Sequence, residues 1–269
     1  MNEINQYPEV LTIAGTDSGG GAGIQADTKT MQAYEVFSTQ VIVGVTAQNT
    51  IGVQELFPLP ASIIASQFKS VFGDFDIKAL KTGALFDKEH VQIVVDNLKQ
   101  YSFNNLVIDP VMVAKGGAKL LSDDAIATLK QNLLPLGTLV TPNLLEAEIL
   151  CDQEIKTYDD MKMAAKKIRD LGVENVMIKG GHTDNQTEIY DYVLFSDDTD
   201  LWLNAPRIDT KRTHGTGDTL SSAIISNLAK GFSLKEAIKN AHEYLKKIIK
   251  NPLLIGHGHG PLNHGNWEN

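Results

Sequence analysis

Short apolar runs rich in β-branched residues alternate along the chain with longer segments whose apolar positions recur every three to four residues. The runs at 10–14, 41–46, 77–82, 106–109, 139–141 and 176–179 predict strands. Between them, helical periodicity covers about 23–36, 61–72, 88–100, 122–133, 143–150 and 159–171. The strand runs are continuously apolar, as strands are when both sheet faces are covered, so the pattern reads as βαβ units around a mostly parallel sheet. After Gly180-Gly181 the pattern changes. Segments 189–195 and 201–205 flank Asp197-Asp198-Thr199-Asp200 and predict an antiparallel hairpin at one sheet edge. Helices at about 217–230 and 233–250 follow, then a tail containing Gly and His. With no linker, fixed-period repeat or low-complexity block, the expectation is one α/β domain over 1–269.

In such sheets ligands bind at the carboxyl ends of the strands. The Gly-rich and polar segments fall there. Thr213-His214-Gly215-Thr216-Gly217-Asp218 leads straight into a helix. Its glycines let backbone N–H groups approach an anion, and the helix start adds a favourable dipole. Asp218 in the first turn is either a general base for an attacking hydroxyl or an ordinary acidic helix-start residue. Asn143 and Glu146 share a face at another helix start. They are either a site for hydrated Mg²⁺ or a plain capping box. The loop from Gly15 to Gly23 (with Asp27 beyond it) reads as a substrate contact or as a close-packing turn. Part of it fits a variant dinucleotide fingerprint, but the loop is long and the second strand ends in Ala47-Gln48-Asn49, without the acidic residue that would hold a ribose. No Gly-Lys-Ser or Gly-Lys-Thr of a P-loop occurs.

Composition removes several alternatives. A net charge of −9 gives no general attraction for nucleic acid. The single cysteine, Cys151, excludes an intramolecular disulfide and a multi-cysteine metal site, and reads as a small buried thiol. His257, His259 and His264 are separated by glycines and other residues without a carboxylate among them, which argues against a metal site. No apolar run is long enough to span a bilayer and the N-terminus lacks a signal pattern, so the expected location is the cytoplasm.

Taken together, Leu11-Thr12-Ile13-Ala14-Gly15-Thr16-Asp17, Gly20-Gly21-Ala22-Gly23-Ile24-Gln25-Ala26-Asp27 and Thr46-Ala47-Gln48-Asn49-Thr50 resemble the hydroxymethylpyrimidine and phosphomethylpyrimidine kinase branch of the ribokinase superfamily. So do Asp109-Pro110-Val111-Met112, Val140-Thr141-Pro142-Asn143-Leu144, Lys179-Gly180-Gly181-His182, Thr213-His214-Gly215-Thr216-Gly217 and Gly258-His259-Gly260-Pro261. The resemblance implies a ribokinase-like three-layer sandwich that uses ATP and Mg²⁺, with a homodimer as the family's habit. It implies that Asp27 and Gln48 bond an aminopyrimidine, and that Gly15, Ala22, Ala84, Val111 and Met112 line its flat part. It further implies that Asp109, Asn143 and Glu146 organise metal and phosphates, that Lys179 and Thr213 touch the nucleotide, and that the backbone of Gly215, Thr216, Gly217 and Asp218 is an anion hole. The branch usually carries Cys where this chain has Asp218, a residue that suits an alcohol acceptor and cannot bond an aldehyde as that thiol is thought to do in pyridoxal kinases. The implied reaction is phosphorylation of 4-amino-5-hydroxymethyl-2-methylpyrimidine and then of its monophosphate, in thiamine biosynthesis. The alternative is a pyridoxine, pyridoxal or pyridoxamine kinase of the same fold.

Overall fold

The structure is a computed structural model and describes residues 6–113, 121–180 and 187–265. The elements run in the order β1 (Glu9–Gly15), α1 (Gly23–Ala33), β2 (Phe37–Asn49), β3 (Gly52–Pro58), α2 (Ala61–Phe72), β4 (Ile77–Thr82), α3 (Lys88–Leu98) and β5 (Leu106–Ile108). They continue with α4 (Asp123–Thr128), β6 (Leu139–Val140), α5 (Leu144–Cys151), α6 (Tyr158–Arg169), β7 (Asn175–Ile178), β8 (Glu188–Leu194), β9 (Asp200–Pro206), α7 (Thr216–Ala229) and α8 (Leu234–Lys250). One nine-stranded sheet has the order β3-β2-β1-β4-β5-β6-β7-β8-β9. Its six central strands are parallel, and β3, β8 and β9 pair antiparallel at the two edges.

The expected parallel core and the β8–β9 hairpin are both present. The strand β3 is an addition. All but its last residue are exposed, so it carries no buried apolar run for a periodicity argument to find. The expected helix at 122–133 is shorter: α4 ends at Thr128 and passes into a wider π turn over Leu129–Leu133, then a short tight turn containing Pro135. The expected first helix also stops early, at Ala33, where Glu35 takes a left-handed backbone.

Side chains alternate across the strands, and two cores result. Leu11, Ile13, Leu80, Leu106, Ile108, Val176 and Ile178 face α2 to α6. Val10, Ala79, Val107, Leu139 and Met177 face α1, α7 and α8. By the same alternation Thr12, Lys81, Asp109, Thr141 and Lys179 belong to the second face, at or just past the strand ends. The sheet's order reverses between β1 and β4, which is the topological switch point where doubly wound sheets bind ligands. Among the described residues no helix is long and apolar enough to cross a membrane.

The tail is anchored by a histidine. His264 is buried, and its Nε2 lies 2.9 Å from the hydroxyl of Thr219 on α7. Burial pushes the imidazole down to about 4, well below its ordinary value. A group that binds its proton less readily when folded gives stability that is complete above the unfolded pKa, near 6.5. That stability is lost as pH falls toward the folded value. Urea midpoints measured from pH 7 to pH 4.5 should therefore fall, by roughly 1–3 kcal/mol equivalent from this group. His264→Phe should be less stable at pH 7 but show a shallower pH dependence over the same range.

Candidate active site

The strand ends of the second face converge on the start of α7. Gly215 is its N-cap, in a left-handed backbone (φ 83°). A Cβ there would stand 2.0 Å from the carbonyl oxygen of Gly21, so the close approach of the two loops requires glycine. A Cβ on Gly217 would stand 2.9 Å from Asp109 Oδ2 and 3.3 Å from Lys179 Nζ, which places this turn directly against both side chains. The first amides of a helix have no intrahelical acceptor, so those of Gly217 and Asp218 suit an anion.

Two clusters of charge lie beneath this turn. In the first, Lys179 Nζ is 3.1 Å from Asp109 Oδ1. Burial works to discharge Lys179, but Asp109 and Glu146 outweigh it and hold its pKa above the ordinary value. Glu146 closes a capping box with Asn143: Asn143 N–H donates to Oε2 (2.8 Å) and Glu146 N–H donates to Asn143 Oδ1 (2.9 Å). Its other oxygen accepts from Met112 N–H at 3.3 Å. Burial lifts the Glu146 carboxyl; Lys179 opposes this and Asp109 adds to it. The capping role and a place beside the charge cluster therefore coexist in one residue.

In the second cluster, Lys81 is fully buried and donates to Asp27 Oδ1 at 2.6 Å. Asp27 also accepts from Thr12 Oγ1 (2.6 Å) and Ser222 Oγ (2.7 Å). Asp218 Oδ1 stands 3.8 Å from Lys81 Nζ, with its side chain 14% exposed. Burial lifts Asp27 above the usual carboxylate range, with Asp218 adding to the lift and Lys81 opposing it. Lys81 stays above its ordinary value because Asp27 and Asp218 outweigh its burial.

A cation held by several carboxylates beside a glycine-lined helix start, at the switch point of a parallel sheet, is what phosphoryl transfer needs. Comparison with known proteins gives the same answer. The family model described as Phosphomethylpyrimidine kinase matches residues 17–263. The chain belongs to this family. It is 48% identical to the hydroxymethylpyrimidine/phosphomethylpyrimidine kinase of Haemophilus influenzae, over 97% of this chain and 98% of that protein. A phosphomethylpyrimidine kinase structure from Clostridium difficile, 39% identical, superposes with a TM-score of 0.80 over 90% of this chain and 99% of the other. A Bacillus subtilis pyridoxal kinase solved as an ADP complex, 37% identical, gives 0.89 over 96% and 98%. The ribokinase-like fold and phosphotransferase activity follow from these relatives.

The other expected site residues of this kinase take the following places. Asp27 is fully buried, with both oxygens engaged by Thr12, Lys81 and Ser222. Met112 is fully buried within the first core. Gly15 lies under the ring of Phe86, whose Cζ would be 2.2 Å from a Cβ at that position. Ala22 caps α1 and donates its N–H to Asp17 (2.8 Å), while Ala84 O accepts from Gly15 N–H (3.2 Å). Val111 is half-buried, its N–H turned back to Asp109 O at 2.9 Å. Thr213 O accepts from the hydroxyl of Thr216 at 2.6 Å, which tightens the entry to α7. Gln48 is half-buried at the end of β2, beside His214. Gly181 and His182 lie outside the described residues.

Lys81 was missed by sequence reasoning, although a signal existed. It is the one charge inside the otherwise buried end of β4, Ala79-Leu80-Lys81-Thr82, and such a charge demands a partner. Asp17, which gathers the N–H groups of Gly19, Gly21 and Ala22, was likewise hidden within a Gly-rich loop. Lys81→Met should destabilise the protein by about 3–5 kcal/mol in chemical denaturation, because it strands Asp27 in the core. Adding Asp27→Leu to it should recover a large part of that loss.

Proposed function

We propose that this kinase is a single-domain cytoplasmic enzyme that transfers the γ-phosphoryl group of ATP to the hydroxyl of 4-amino-5-hydroxymethyl-2-methylpyrimidine, and then to the monophosphate, with Asp218 as base in the first transfer. The observation that carries this reading is the placement of the Asp218 carboxylate. It sits in the first turn of α7, among amides suited to an anion and 3.8 Å from a buried ammonium. An alcohol is a poor nucleophile near neutrality, and a positioned base removes its proton as the O–P bond forms. A phosphate monoester is already anionic, so its attack relies on positioning and on the anion hole.

ATP use is supported by the relative bound to ADP. The donor set also fits Mg²⁺, which keeps several waters and takes one or two carboxylates. Asp109 and Glu146 are buried oxygen donors beside the ammonium of Lys179. Nearby, the buried hydroxyl of Thr141 has no protein hydrogen-bond partner among the described residues. When bound, the ion would neutralise charge developing on the phosphates. Asp109 and Glu146 would hold it, while Lys179 and Thr213 face the nucleotide phosphates and Gln48 reads the acceptor ring. A homodimer would cover the exposed β2–β3 edge, where Ile51 and Phe57 are 73% and 62% exposed, and light scattering would detect it.

The structural likeness to a pyridoxal kinase makes pyridoxal the natural competitor in a substrate screen. Turnover with the pyrimidine alcohol, its monophosphate and pyridoxal, followed by ADP release, tests the assignment. Faster turnover of pyridoxal would replace it. Asp218→Asn should cut transfer to the alcohol by roughly 10²–10⁴-fold while retaining most of the transfer to the monophosphate. Equal losses on both acceptors would mean that Asp218 holds the loop and is not the base. Glu146→Gln keeps most of the capping hydrogen bonds, so it should raise the Mg²⁺ concentration for half-maximal turnover with little change in Tm.

A further inference from the structure

Four segments remote in sequence meet around His214. Its backbone N–H donates to Gly260 O (3.2 Å), and the residue bridges to Pro261 in the tail. Its ring fills the space beside Gly21, where a Cβ would come within 2.7 Å of Cδ2. One ring nitrogen, Nε2, lies 3.0 Å from Asp17 Oδ2 and 3.1 Å from Gln48 Nε2. The next residue is Gly215, the N-cap of α7.

The chemistry of these three groups restricts their arrangement. Burial alone would raise the Asp17 carboxyl, but the bond from His214 and those from the N–H groups of Gly19 and Gly21 outweigh it and hold it below its ordinary value. Asp17 is therefore an ionised carboxylate and only accepts. The ring nitrogen facing it must carry its proton and donate. A protonated ring nitrogen has no lone pair for the NH₂ of Gln48. The arrangement is consistent when the one imidazole N–H is shared between Asp17 Oδ2 and the amide carbonyl oxygen of Gln48, whose NH₂ then turns away. Both faces of the amide are then assigned.

We propose that His214 is a positioning residue that fixes the Gln48 amide, carbonyl toward the imidazole and NH₂ toward the acceptor, so that the site selects heterocycles presenting an acceptor nitrogen and holds them in register with the first turn of α7. This deepens the pyrimidine reading above and rests on Gln48 facing the acceptor ring. Asp17 is the anchor of the arrangement. Three backbone N–H groups from its own loop fix it, so it holds the imidazole in turn. A second consequence is that the acceptor's reach to Asp218 is set by a side chain four residues before it, at the entry to α7.

The test is a double-mutant cycle read as binding of the pyrimidine alcohol by calorimetry without ATP, with the KM for ATP measured alongside. His214→Phe should weaken alcohol binding roughly tenfold, the size of one lost hydrogen bond, and leave the KM for ATP unchanged. His214→Gln, whose amide N–H reaches about as far as Nε2, should restore most of the affinity. In a Gln48→Leu background, His214→Phe should add less than about twofold, because its effect passes through the missing amide. His214→Asn, too short to reach Gln48, should repeat the Phe result and replaces it where Phe disturbs folding. Additive losses, or an equal rise in the KM for ATP, would overturn the inference alone. Unchanged binding in Gln48→Leu itself would overturn both the inference and the pyrimidine-pocket reading.

Discussion

The constraint on which this molecule depends is the ion pair between Asp27 and Lys81, closed off from water inside the second core. A lone charge there would cost several kcal/mol, so each of the two groups requires the other. Because Asp27 is on α1 and Lys81 on β4, the pair fixes the helix against the sheet at the switch point. Thr12 from β1 and Ser222 from α7 complete the hydrogen bonding of the carboxylate. Ser222 lies four residues after Asp218, one helical turn away on the same face of α7. The anchoring of one therefore positions the other. Asp218 is thereby tied to the charges of the core.

Alternation of side chains explains why the charges gather where they do. Ala79 and Lys81 share a face of β4, Val107 and Asp109 share a face across the end of β5, and Met177 and Lys179 do so across the end of β7. Each strand gives the core an apolar residue and, two positions later, gives the site a charged one. A one-residue slip in any of these strands would send the charge into the opposite core. The register that builds the hydrophobic layers is thus the register that assembles the site. The close approach of the Gly15–Gly23 loop to Gly215 is the remaining requirement, and it is met by omitting side chains.

This logic accounts for what could be read from the sequence. The buried parallel strands announce themselves by uninterrupted apolar runs, and both α2 and β4 fall at the expected residues. The exposed edge strand β3 does not, because pairing of its backbone leaves no apolar imprint. In the site, the Gly-rich segment before α7 and the pair Asn143 and Glu146 could be read from local spacing alone. Asp27 could not be assigned that way. Whether a carboxylate meets a ligand or a buried ammonium depends on a residue 54 positions later. Resemblance carries a residue's position well, but the partners that decide its role are tertiary.

Two anchoring devices then divide the labour around α7. Below the helix start, Lys81 sets the carboxylate of Asp218, and Lys179 with Asp109 borders the glycine turn. Above it, the tail closes the loop: His214 N–H bonds Gly260 O, Arg212 bonds Ile255 O at 2.7 Å, and His259 N–H bonds Thr50 O at 2.8 Å. The tail is in turn tied to α7 by His264 and Thr219. The helix start is thus fixed from the core side by charge and from the solvent side by backbone hydrogen bonds. Such a turn can offer amides and a carboxylate to a transferring phosphoryl group without rearranging when charge develops, which is the condition under which preorganised dipoles lower a barrier.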